Sequence, residues 1–143
     1  MITEISKEIP EIRKQIAEIK KRDPLTEKII ACAYKVHSQL GPGFNEKIYH
    51  NSLKVALNEE DLKYQTEKEF KVIYQGKQVG ILKADLMVED RVIIEVKAIT
   101  GIVPKVFEAQ LLSYLKVTKF NVGLLINFGN KSCQIRRLVL KSP

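Results

Sequence analysis

Cysteine is scarce in this chain, and long apolar runs and a secretion signal are missing from it. Only Cys32 and Cys133 occur, far apart and in apolar-rich surroundings. That excludes a zinc cluster and a disulfide framework and leaves two reduced core thiols, as expected of a cytoplasmic protein. No apolar run approaches the ~20 residues needed to cross a bilayer, so no membrane partner is expected. The first twenty residues interleave Ile with Glu and Lys, unlike the apolar stretch of a signal peptide. Internal repeats and low-complexity linkers are absent as well. What remains is ordinary globular composition. The chain has 143 residues, 45% of them hydrophobic, enough for one domain with a substantial core.

Acid is the other shortage. Lys and Arg number 24 against 17 Asp and Glu, a net charge of +7, which favours an anionic partner such as nucleic acid. The excess is uneven. Residues 1–24 net +1 and residues 25–127 net +2, while the last sixteen hold Lys131, Arg136, Arg137 and Lys141 with no acid. That basic end reads either as a solvated terminus or as a contact for phosphates, with Arg136 and Arg137 the candidates to face a substrate.

Ile2, Ile5, Ile9, Ile12, Ile16 and Ile19 form a heptad seam. Residues 1–22 therefore read as a helical extension, kinked or restarted at Pro10. Three turns of Ile do not hold a helix alone. The seam packs on the domain or on a second copy, and Ile at both seam positions favours a homo-oligomer through residues 2–19.

Residues 23–143 read as the domain proper. Asp23-Pro24 is an N-cap with Pro at the first helical position. The helix runs to about Leu40, where Gly41-Pro42-Gly43 stops it. A second helix spans about Asn45 to Glu60. From Tyr64 the period becomes that of strands: Tyr64–Tyr74, a turn at Gln75-Gly76-Lys77, Val79–Val88, a turn at 89–91, then Val92–Lys97. The last is apolar enough to be central in a sheet. Pro104 opens a helix to about Lys119, and Val122–Phe128 and Ser132–Leu140 close the chain as strands. The order predicts an α/β fold with a mixed sheet flanked by helices.

Two carboxylates lie in strands that otherwise favour burial. Asp85 sits within Ile81–Val88 and Glu95 within Val92–Lys97, and a buried charge needs a partner. Glu95 and Lys97 are two apart, so they share a face. With a three-residue turn at 89–91, Asp85 falls opposite Glu95, placing Asp85, Glu95 and Lys97 together. Two such carboxylates repel, and a hard divalent cation relieves them. Glu-x-Lys alone carries little, because it also occurs at Glu18-x-Lys20 and Glu69-x-Lys71. An Asp85–Lys97 ion pair across the strands is the plain structural alternative.

Further motifs extend the pattern. Gly43-Phe44-Asn45-Glu46-Lys47-Ile48-Tyr49 resembles the signature of the GxxExxY protein family, preceded by Val36–Pro42. Lys83-Ala84-Asp85-Leu86, Glu95-Val96-Lys97-Ala98 and Glu108–Leu115 follow in that family's order. The resemblance covers about Leu25 to Leu140. Through it the chain resembles the PD-(D/E)xK nuclease superfamily, whose restriction-endonuclease-like αβββαβ core agrees with the element order above.

The resemblance implies that Asp85 and Glu95 are metal ligands, with Glu46 as an additional acid and Lys97 beside the attacking water. It implies Mg²⁺ or Mn²⁺ as cofactor. Gln110 and Tyr114 match a Gln-x-x-x-Tyr motif, and their spacing puts both on one helix face. Tyr49 and His50 share a face with Glu46. Tyr49 and His37 are weaker candidates to line the site. Tyr114 reads equally as a half-buried core aromatic. A lone His such as His37, and His50 still more, reads first as a satisfied surface or core residue. Two functions follow: a metal-dependent nuclease acting on DNA rather than RNA, or a nuclease-fold module that binds nucleic acid or protein without turnover.

Overall fold

A computed structural model describes residues 23–140 and, apart from them, Pro10. The Ile seam at 2–19 and Lys141 lie outside the described residues. The elements are α1 (Pro24–Leu40), α2 (Glu46–Glu59), β1 (Tyr64–Tyr74), β2 (Lys77–Val88), β3 (Val92–Lys97), α3 (Val106–Thr118), β4 (Val122–Asn127) and β5 (Gln134–Val139). Local chemistry explains their ends. Asp23 Oδ1 accepts from the Thr26 N–H at 2.7 Å, and Asn45 Oδ1 accepts from the Ile48 N–H at 3.1 Å. Both caps satisfy donors that a helix start leaves orphaned.

The strands form one sheet in the order β1-β2-β3-β4-β5. Only the β3–β4 pair is parallel; the other neighbours are antiparallel. The sheet is thus mixed with β3 at its centre, as expected. β3 is buried along nearly its whole length because helices cover both faces there.

Two cores result. On one face Ile29, Ala33, Tyr49, Leu53 and Leu57 of α1 and α2 pack on Leu86, Ile94, Leu124 and Phe128. On the other, Leu111 and Leu115 of α3 pack on Met87, Ile93 and Leu125. The two thiols are free, Cys32 buried and Cys133 half-buried. No helix among the described residues is long and apolar enough to cross a membrane.

Candidate metal-dependent active site

The turn at 89–91 has three residues, and it sets the register Val88↔Val92, Met87↔Ile93, Leu86↔Ile94. Asp85 comes next, opposite Glu95, but the ladder ends before it. The pairing with β1 also lapses at this point. Thr66 pairs with Leu86 and Lys68 with Ala84, while Glu67, between them, takes a left-handed φ of 51°. A non-glycine residue in that region inside a strand carries local strain.

Released on both sides, Asp85 bonds to side chains instead of strand neighbours. Its N–H donates to Glu95 Oε1 at 3.3 Å, and its carbonyl oxygen lies 3.2 Å from His50 Nε2 on α2. A carbonyl only accepts, so in this contact Nε2 carries the proton. The Asp85 carboxylate turns toward β3 and accepts from the Val96 N–H at 2.9 Å.

The carboxyl pair is electrostatically tense. Glu95 is 9% exposed. Burial, then the charge and hydrogen bond of Asp85, push its carboxyl from an ordinary 4.5 up to about 9. At neutral pH Glu95 therefore keeps its proton beside Asp85. Glu46, the first residue of α2, borders the same groove as Asp85. Its carboxyl is also raised, first by burial and then by Asp85, with Lys97 and His50 opposing.

The α3 side contributes a cation and aromatics. Lys97 Nζ stands 4.4 Å above the centre of the Phe107 ring, an arrangement that holds an ammonium without neutralising it. Among the described residues Lys97 makes no ion pair, so the Asp85–Lys97 bridge is not formed. The Tyr114 hydroxyl is raised by burial, then by the charges of Glu95 and Asp85, which places it beside the pair. Gln110 is exposed on the helical strip between Phe107 and Tyr114.

Other candidates are placed elsewhere. Tyr49 is fully buried, stacked on Phe128 at 4.8 Å, with its hydroxyl donating to the Gly41 carbonyl and accepting from the Phe44 N–H. It anchors the Gly41–Phe44 turn, in which Gly43 has a φ of 111°, and so fixes where α2 and Glu46 begin. His37 is buried as well, with Nε2 2.8 Å from the Asn130 carbonyl and its ring stacked on Phe128. Arg136 pairs with Glu108 at 2.9 Å. Arg137 lines a separate groove with Tyr34, and its Nε is buried without a hydrogen-bond partner.

Two contributors, Phe107 and Asn127, escape sequence reasoning. Phe107 seats Lys97, while His50, read from sequence on the Glu46 face, engages the Asp85 main chain. Asn127, buried at the end of β4, accepts from the Ile99 N–H at 2.7 Å and donates to the Ile99 carbonyl, pinning the segment after Lys97. Gly129 packs so closely there that a Cβ would sit 2.4 Å from the Ile99 nitrogen. An amide in an otherwise apolar strand end was the available signal for Asn127. Phe107 gave none.

The donor set fits a hard divalent cation. Among the described residues no three His, Cys, Asp or Glu side chains form a cluster able to hold a metal ion. Magnesium needs none, since it commonly takes one or two carboxylates and fills its octahedron with waters and substrate phosphate. Asp85 and Glu95 are the carboxylates that could hold the ion, and a cation bound there would displace the proton on Glu95.

A pH dependence follows for the metal-free protein. Between about 4.5 and 9 the folded state holds a proton on Glu95 that the unfolded chain has lost. Stability from this group is therefore fully present below the unfolded value and is lost as pH rises toward the folded one. Thermal melts in EDTA should show Tm falling from pH 5 to pH 9, by about 4 °C for each kcal/mol lost in a domain of this size. Glu95→Gln should flatten the profile. Parallel profiles for the two proteins would refute a protonated Glu95 in the folded state.

A model of the PD-(D/E)XK nuclease superfamily matches residues 23–138. Among solved structures, the chain is similar to the crystal structure of SSO0001. The TM-score is 0.51, with 19% identity over 68% of this chain and 52% of that one. The similarity thus spans about half of that protein's length, and at this identity it speaks for the fold alone. No curated protein matches the chain. With the family's model covering most of its length, and an αβββαβ core built as that family builds it, the chain belongs to the PD-(D/E)XK nuclease superfamily.

Proposed function

We propose that the protein is a metal-dependent nuclease that hydrolyses phosphodiester bonds in DNA, with Mg²⁺ or Mn²⁺ as cofactor. The observation that most supports this is the Asp85–Glu95 pair, held where β2 parts from β3, with a proton on buried Glu95 that a cation can replace. Within the superfamily, the Gly43–Tyr49 signature favours the GxxExxY family.

In this reading Asp85 and Glu95 hold the cation, and Glu46 adds a third acidic group from α2. When bound, the metal supplies charge neutralisation at the scissile phosphate and acidifies water beside it. Lys97, seated above Phe107 and unpaired among the described residues, would orient the attacking water and stabilise the negative charge that develops on phosphorus-bound oxygen. Water forms one P–O bond as another breaks, leaving an alcohol and a phosphate monoester. Gln110 and Tyr114 meet the substrate from α3. The same proposal assigns residues 1–22 to a helical extension that joins copies of the chain, residues 23–143 to the nuclease domain, and the whole to the cytoplasm.

Labelled DNA and RNA incubated with the protein and Mn²⁺ test the reading. Metal-dependent cleavage of DNA, abolished by EDTA and weaker on RNA, is the expected result. Binding without cleavage under every divalent cation tried would replace it with a silent nuclease-fold module.

A further inference from the structure

The groove that Asp85 lines carries charge of both signs. It has a volume of about 490 Å³, and its carboxylates are Glu46, Glu67 and Asp85. Three carboxylates repel a polyanion, so a nucleic-acid strand needs cationic contacts on the way in. The wall supplied by α2 carries Lys47, Asn51 and Lys54.

These three positions are spaced i, i+4 and i+7, which aligns them along one side of the helix. Among the described residues neither Lys47 nor Lys54 forms an ion pair, although Lys35 and Arg91 do. Lysines next to acids but unpaired with them are available for an external anion. Seven residues of helix rise about 10.5 Å, so the two lysines are far enough apart to meet different phosphates of one strand.

We propose that Lys47, Asn51 and Lys54 form a phosphate-binding track on α2 that delivers one nucleic-acid strand to the carboxylate pair. The lysines neutralise two separate phosphates of the strand, and the Asn51 amide donates to a phosphate between them. The contacts are to backbone and carry no sequence information. The track rests on the nuclease reading of the same site, because Asp85 lines the same groove. It also accounts for nucleic-acid binding by a segment, residues 25–127, that carries almost no net charge.

The test is the salt dependence of binding, measured by anisotropy with fluorescein-labelled 20-mers, single-stranded and duplex, in EDTA. Lys47→Ala/Lys54→Ala should weaken binding at least about tenfold. The slope of log K against log [salt] should become shallower by about 1.4 on single strands or about 1.8 on duplex. Removing two exposed lysines away from the groove, as Lys28→Ala/Lys63→Ala, should leave the slope unchanged. Equal slopes for the track variant and wild type, equal loss in the control variant, or no binding by wild type would each overturn the track. Hydrolysis of bis(p-nitrophenyl) phosphate by wild type with Mn²⁺ reads the metal site separately. Hydrolysis with an unaltered slope overturns the track alone, whereas a shallower slope without hydrolysis upholds the track and overturns the metal reading.

Discussion

Asp85→Asn is expected to lower Mn²⁺-dependent DNA cleavage by at least about 10³-fold while leaving the fold intact. Asn is nearly isosteric, and its amide oxygen still accepts from the Val96 N–H. It lacks the negative charge that a divalent cation requires. Loss of metal-supplied charge stabilisation amounts to several kcal/mol, and each 1.36 kcal/mol is about tenfold in rate. Glu95→Gln should fall to a similar level. The double variant should be scarcely worse than either single one, because two ligands of one ion act as a unit. Single-turnover cleavage alongside circular dichroism decides the matter. Activity within tenfold of wild type in folded Asp85→Asn would refute the assignment.

Phe128→Ala should produce the largest loss of stability, about 3–5 kcal/mol, lowering Tm by roughly 10–20 °C. Phe128 is fully buried at the end of β4, with Tyr49 stacked at 4.8 Å on it and His37 at 6.3 Å. Truncation removes one ring and opens a cavity beside two others, Tyr49 and His37, whose polar ends are already committed. Tyr49 holds the turn before α2, and His37 contacts Asn130, which in turn bonds Gly101. The cost therefore spreads to both segments that place Glu46 and the backbone after Lys97. Ile102→Ala, at a position 93% exposed, should change Tm by little. Urea or thermal unfolding of the two variants checks the contrast, and equal shifts would show that the ring stack is not a keystone.

Much of this arrangement was legible because it is local. The Asp23-Pro24 start, the Gly76 turn and the three-residue turn at 89–91 depend on neighbouring residues alone. Once the second turn has three residues, period-2 alternation puts Asp85 opposite Glu95 without further information. The breaks in both ladders at Asp85 were not legible. Alternation reports which face a residue shares, and it says nothing of when its main chain stops pairing. The left-handed Glu67 has no sequence mark, since Glu is an ordinary strand-edge residue.

The helix faces were read only partly. Glu46, Tyr49 and His50 do lie on one side of α2, but Tyr49 points into the core and the other two border the groove. A helical arc is wide enough to hold both destinations, and tertiary packing alone assigns them. The same limit hid Lys47 and Lys54, which in sequence are unremarkable lysines on a surface helix. Net charge pointed to the C-terminal end instead, where Arg136 is taken up by Glu108.

Crystals soaked in Mn²⁺ and measured at its absorption edge give the most direct test of the carboxylate pair as a metal centre. An anomalous peak about 2.0–2.3 Å from oxygens of both Asp85 and Glu95 is the predicted result, a distance set by hard-cation coordination. A peak only at other sites, or a saturated soak with no peak at Asp85 and Glu95, would contradict it.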